Sequence, residues 1–198
     1  TAAVTGNFRI LGDIGYDGGE DAGANFTSDV PIATTARYAK DADDAHTDFG
    51  QGMSEWCANC HTGFTADSTN PMRHPANNDA HLGTGLANNY NSYVKTGDFT
   101  GVAATSYLSL VPFERGVSDP TALSGTSTMG PDANSNVMCL SCHRAHASAF
   151  QNATRWDATS EFPATDSHPM STDGGVTGDD VSNSYYGRDM IAQFGEFQ

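Results

Sequence analysis

The sequence predicts a chain that is mostly coil, with a few short α-helices and minimal β-structure. Three observations lead there. Only 37% of the 198 residues are hydrophobic, which is low for a chain that fills a core of that size unaided. Between residues 62 and 138, Pro71, Pro75, Pro112, Pro120 and Pro131 stand among many Gly and Asn and forbid long helices over most of that span. Asp outnumbers Glu by 19 to 5, and Asp favours turns and caps. So little aliphatic volume implies that something other than side chains helps to build the core.

In chain order, residues 1–35 read as an extended N-terminal arm, with Phe8-Arg9-Ile10-Leu11 as a strand candidate and Gly15-Tyr16-Asp17-Gly18-Gly19 as a turn. Residues 36–61 carry a helical pattern: Asp41, Asp43 and Asp44 suit a first turn, and Phe49, Met53 and Trp56 recur at spacings of four and three. A helix is expected over 86–94, a second over 136–150, where Arg144 to Phe150 are good helix formers, and a short third over 185–194. The composition shift near 120–133 is too weak to divide residues 36–198, which are read as a single unit.

The formal charge is −15, with only Lys40 and Lys95 as lysines. Phosphate neutralisation needs a basic face, so nucleic acid is excluded as a partner. An anionic surface suits cations or basic partners. There is no run of 18 apolar residues and hence no expected transmembrane segment. The start, Thr1-Ala2-Ala3-Val4, has neither a charged nor an apolar leader region and reads as the mature terminus left by a cleaved signal peptide.

All four cysteines lie in two pentapeptides, Cys57-Ala58-Asn59-Cys60-His61 and Cys139-Leu140-Ser141-Cys142-His143. Covalent haem attachment needs two thiols to add across two vinyl groups and an imidazole directly after them to reach the iron, and C-x-x-C-H supplies all three. A four-thiolate zinc site is disfavoured by the 78 residues between Cys60 and Cys139, and it needs no His after either pair. A thioredoxin-type pair expects a βαβ pattern that is lacking, and two disulfides explain neither His. The expected cofactors are therefore two haem c, with Cys57, Cys60, Cys139 and Cys142 as thioethers and His61 and His143 as proximal ligands.

Each iron needs a sixth ligand, and His46, His74, His81, His146 and His168 remain. This makes bis-histidine ligation the default, with His/Met held open by Met53, Met72, Met129, Met138, Met170 and Met190. A six-coordinate iron offers no position to substrate, which favours electron transfer over catalysis. On a helix His146 would leave from the same side as His143, three residues earlier. It could then serve only the other haem, on Cys57 and Cys60, and the two discs would be held as a stacked, nearly parallel pair. His74, in Arg73-His74-Pro75, is expected on the second haem because proline holds its backbone extended; His168, in Ser167-His168-Pro169, and His46 are the alternatives. His81 reads as a surface histidine. Five histidines for two irons leave a surplus, and one, His46, is a candidate ligand to a neighbouring subunit's haem. Trp56, Tyr90, Tyr93, Phe99, Tyr107, Phe113, Phe150 and Trp156 flank the motifs and are expected to pack on haem.

The stretches 39–46, 53–61, 88–94, 109–114 and 137–148, which hold both pentapeptides and the run Cys142-His143-Arg144-Ala145-His146-Ala147, resemble the multihaem c-type cytochromes of metal-reducing bacteria. The likeness covers roughly residues 36–195. It implies an exported, mostly coil protein organised around stacked bis-histidine haems and working in extracellular electron transfer; some relatives polymerise into filaments. It supports His61 and His143 as proximal ligands and favours His74 and His146 as distal ones. Fuller members carry a further C-x-x-C-H after a segment like Tyr185-Tyr186-Gly187-Arg188, whereas this sequence stops at Phe197-Gln198. That departure reads as a lost haem or a trimmed precursor.

The expectation is an extracellular or cell-surface electron-transfer protein, not an enzyme, that polymerises with itself and exchanges electrons with other redox cytochromes or extracellular acceptors. A monomeric periplasmic shuttle and a dihaem peroxidase or reductase are the alternatives.

Overall fold

A computed structural model describes residues 12, 14–15, 26–36, 44–64, 74–92, 100–109, 111–145 and 151–155. Strand β1, Ile32–Thr35, has branched side chains at three of its four positions, which suit a pleated surface. It pairs antiparallel with β2, Thr47–Gln51, in the register Ala33 to Phe49, Thr34 to Asp48 and Thr35 to Thr47, with an irregularity between Ile32 and Ala33. Thus the last four residues of the expected arm are a strand of the sheet.

The sheet continues beyond β2 as a row one residue wide. Phe49 bridges Glu114 in parallel, Glu114 bridges Asn136 antiparallel, and Asn136 bridges His81 antiparallel. The amide of Arg115 donates to the Phe49 carbonyl at 2.8 Å, while Glu114 and Asn136 exchange both of their backbone bonds at 3.0 and 2.8 Å. The row satisfies the polar backbone of segments too short to be strands by themselves. It depends on close approach at Gly50, where a Cβ would stand 2.5 Å from the Val117 carbonyl oxygen.

Among the described residues there are three α-helices: α1, Met53–Ala58, α2, Gly83–Ser92, and α3, Cys139–Cys142. Single 3-10 turns span Ala103–Thr105 and Pro120–Ala122, the second started by Pro120 and capped by Asp119, whose carboxylate accepts from the Thr121 amide at 2.8 Å. Helix α2 buries Ala87 and sends Tyr90 across to the loop at 106–113. There the Tyr90 hydroxyl accepts from the Leu108 amide at 3.0 Å and donates to the Val111 carbonyl at 2.9 Å.

The core is small and half polar. Phe26, Tyr107, Leu108, Phe113, Leu123 and Met138 are buried, but so are Asp48, Ser54, Glu114, Ser135, Asn136 and Ser141. Asp48 is held by Arg115 Nε at 2.8 Å and by the Ser124 amide at 3.0 Å. Tyr90, Tyr107 and Phe113 pack on one another, with ring centroids 5.4 Å (Tyr90 to Phe113) and 5.8 Å (Tyr107 to Phe113) apart. Trp56 meets Phe26 edge-on and donates its indole N–H to the Gly12 carbonyl at 2.9 Å. Tyr93, Phe99, Phe150 and Trp156 lie outside the described residues.

The expected helix over 86–94 is α2. The helical reading of 36–61 is corrected over its described part: residues 47–51 are β2, and among the described residues of the span only 53–58 are helical, while 37–43 lie outside them. Gly52, left-handed at φ 95°, separates the two elements, and pairing with β1 outweighs the helical spacing of Phe49. The helix expected over 136–150 is also corrected, because α3 ends at Cys142. His143 is extended, at φ −113° and ψ 159°, and bridges Thr154 antiparallel. Among the described residues no helix is long and apolar enough to cross a membrane. The strand candidate at Phe8 to Leu11 and the helix expected over 185–194 lie outside them.

Candidate haem site

The two pentapeptides fold alike. In each, the His amide donates to the carbonyl of the first Cys, His61 to Cys57 at 3.0 Å and His143 to Cys139 at 3.0 Å. One helical turn therefore carries two thiols and an imidazole, the set that covalent attachment needs. The third residue of each motif anchors that turn from below. Asn59 Oδ1 accepts from the amides of Thr27 and Ser28 at 2.8 and 3.0 Å, and Ser141 Oγ donates to the Pro112 carbonyl at 2.6 Å. Both anchors are buried, whereas Cys60 and His61 are exposed and Cys57, Cys139, Cys142 and His143 are half-buried.

The helices α1 and α3 pack together, joined by the Cys139 amide on Ser54 Oγ at 3.0 Å. Cys57 and Cys139, the first thiols of the two motifs, are hydrogen-bonded to each other. That bond holds the Cys139 thiol down at about 6 against burial, helped by the Ser54 hydroxyl and by the His143 and His74 imidazoles. The same bond pushes Cys57 up, as do its burial and the carboxylate of Glu114. Burial also pushes Cys142 up. One proton serves two sulfurs, so the pair holds one readily formed thiolate.

Glu114, which no sequence pattern marked, sits beneath both helices with no exposed surface. Its Oε1 accepts from the Met53 amide at 2.7 Å, at the first turn of α1, and its Oε2 is buried without a hydrogen-bond partner. Burial, the largest influence, and the Glu55 carboxylate push it up to about 7.

The His74 and His143 rings lie with centroids 6.2 Å apart and planes inclined by 55°. Metal–imidazole bonds of about 2 Å on opposite sides of one metal place two ring centroids about 6 Å apart, so this separation fits one metal between the rings. Phe64 links this pair to the first motif, at 6.1 Å from His61 and 5.9 Å from His74. His143 Nδ1 lies 2.8 Å from the Asn152 carbonyl oxygen, which fixes Nδ1 as the protonated nitrogen and leaves Nε2 for a metal. That carbonyl is aimed by a turn in which Asn152 and Ala153 are both left-handed, at φ 57° and 54°.

The other histidines are placed differently. His46 is only 2% exposed, stacked on Tyr107 at a centroid distance of 3.6 Å, so ligation of a neighbouring subunit's haem would require the ring to leave that stack. His81 is exposed, with Nδ1 2.6 Å from Asn136 Oδ1. His146 and His168 lie outside the described residues. No single helix runs through His143 and on to His146, because the backbone at His143 is extended. Among the described residues no three His, Cys, Asp or Glu side chains converge on a metal-ion position.

No protein-family model matches the chain. Over 208 aligned residues it is 43% identical to C-type cytochrome OmcS of Geobacter sulfurreducens, an alignment that covers 93% of this chain and 48% of that protein. Its fold is similar to the solved outer membrane cytochrome S filament from Geobacter sulfurreducens, with a TM-score of 0.69 and 39% identity over 96% of this chain and 52% of that one. It is equally similar to the cryo-EM structure of OmcS nanowires from the same organism, with a TM-score of 0.69 and 38% identity over 95% and 54% of the two chains. The chain thus spans about half the length of the relatives that it matches. The likeness read from the C-x-x-C-H stretches therefore holds: in sequence and in fold, over nearly all of its own length, this chain is similar to a c-type cytochrome, C-type cytochrome OmcS.

Proposed function

We propose that this chain is an electron-transfer cytochrome holding two haem c groups, one on Cys57 and Cys60 with His61, the other on Cys139 and Cys142 with His143. His74 is the distal ligand of the second haem. The 6.2 Å separation of the His74 and His143 rings carries this reading. His146 is the distal ligand of the first haem on the family pattern, and His168 and His46 are the alternatives to His74 on the second.

Haem bound in this way supplies a one-electron couple and no open coordination site. The protein's part is to hold the imidazoles. Asn152 orients His143, Asn59 and Ser141 anchor the two attachment turns, and the Cys57–Cys139 contact brings the attachment points of the two haems together. Stacking of the two haems rests here on the family resemblance and not on one helix through His143 and His146, since α3 stops at Cys142.

Similarity to a cytochrome solved as a filament supports self-association at the cell surface or outside the cell. Electron microscopy and sedimentation of the haem-loaded chain test this, with linear assemblies as the expected result. A strict monomer at high concentration would leave the electron carrier and remove the filament. Absorption spectra unchanged by peroxide or cyanide are expected; a shift would favour a peroxidase or reductase.

A further inference from the structure

Glu114 is a buried acid that holds the Met53 amide of α1 and acts electrostatically on Cys139 of α3, and haem attachment by itself gives it no task. Its side chain has no exposed surface, one oxygen holds the Met53 amide, and the other is buried with no partner. A carboxylate left in that state is costly, whereas a carboxylic acid is not. The titratable groups facing it are Glu55 and Cys57 from α1 and Cys139 from α3. Arg115, the next residue, is turned away onto Asp48 and the Met129 and Gly130 carbonyls. In the haem-loaded chain Cys57 and Cys139 are thioethers and no longer titrate, so the groups beside Glu114 whose charge can change are Glu55 and the haems attached at those two sulfurs.

We infer that Glu114 is a redox-linked proton site, taking up a proton as the adjoining haems gain an electron. The inference rests on the haem assignment above. When one electron from a redox partner reduces one of the two ferric irons to ferrous, the carboxylate binds one proton from solvent at Oε2, and the second electron brings no further proton to this site. When the electron leaves, that O–H bond breaks and the proton returns. The added negative charge raises the cost of ionising a carboxyl in a poorly screened interior, so the reduced protein holds the proton more tightly than the oxidised one. By the same linkage, protonation favours reduction. Burial already brings this acid to about 7, so the coupling falls near neutral pH.

The test is a potentiometric titration of the haem-loaded chain at a series of pH values around neutrality, beside Glu114→Gln, whose amide oxygen keeps the Met53 bond. The wild-type potential is expected to fall as pH rises, approaching a tenfold change in the oxidised-to-reduced ratio per pH unit, and the slope is expected to flatten in the variant. Redox-difference infrared spectra of wild type carrying isotope-labelled glutamate supply a readout that needs no variant. A carboxylic-acid band that grows on reduction and shifts with the label is expected. Equal slopes in both proteins, or no label-sensitive band, would overturn the inference. Haem content and the absorption spectrum of the same samples report separately on the haem assignment.

Discussion

His143 and Asn152 are joined by a single contact, the imidazole Nδ1 on the backbone carbonyl oxygen at 2.8 Å, and two successive left-handed residues are needed to make it. Asparagine tolerates that conformation, while a β-branched residue does not. Asn152 is exposed, so replacing it acts through the backbone. Asn152→Gly is expected to be nearly neutral. Asn152→Val should cost about 1–2 kcal/mol and loosen the carbonyl from His143. A less basic imidazole stabilises ferric iron less, so the potential of the second haem should rise in the Val variant alone. Voltammetry with thermal unfolding of both variants checks this.

Glu114 also makes a prediction about stability. Its folded value of about 7 lies above its ordinary value of 4.5, so between those values the folded protein binds more protons than the unfolded one. Stability should therefore be highest near pH 4.5 and decline as pH rises to about 7, by at most about 3 kcal/mol from this group. Denaturant midpoints across that range should decline in the wild type and decline less in Glu114→Gln.

Asp48 and Arg115 form an ion pair at 2.8 Å with side-chain exposures of 3% and 16%. Removing one partner strands the other. Asp48→Ala should destabilise the chain by about 3 kcal/mol, while the apolar double replacement Asp48→Leu with Arg115→Met should recover most of that loss. Chemical denaturation measures both, and the haem absorption spectrum should not change, because the pair lies away from both pentapeptides.

What could be read from the residues follows from how the structure is held. The proposed attachment residues could be named from the sequence because covalent haem chemistry fixes their order in five consecutive positions. The loops were legible from Pro, Gly and Asp. The row through Phe49, Glu114, Asn136 and His81 was not, since each segment contributes one residue and the partners are as much as 65 positions apart. Glu114 was hidden for the same reason: nothing in Pro112-Phe113-Glu114-Arg115 distinguishes a buried acid from an exposed one. Helix propensity misled at His143 because the chain returns to pair there, with the Arg144 amide on the Ala153 carbonyl and the Arg155 amide on the Cys142 carbonyl. His46 was read on an acidic helix, but its ring is stacked on Tyr107, 61 residues away.

The central claim is that His74 and His143 grip one iron between them. Its most direct test is near-infrared magnetic circular dichroism of the oxidised, haem-loaded chain beside His74→Gly. The wild type should show bis-imidazole signatures only. The variant should convert one haem of the two to high spin and return it to low spin when free imidazole is added. A variant in which both haems keep the wild-type spectrum would contradict the account.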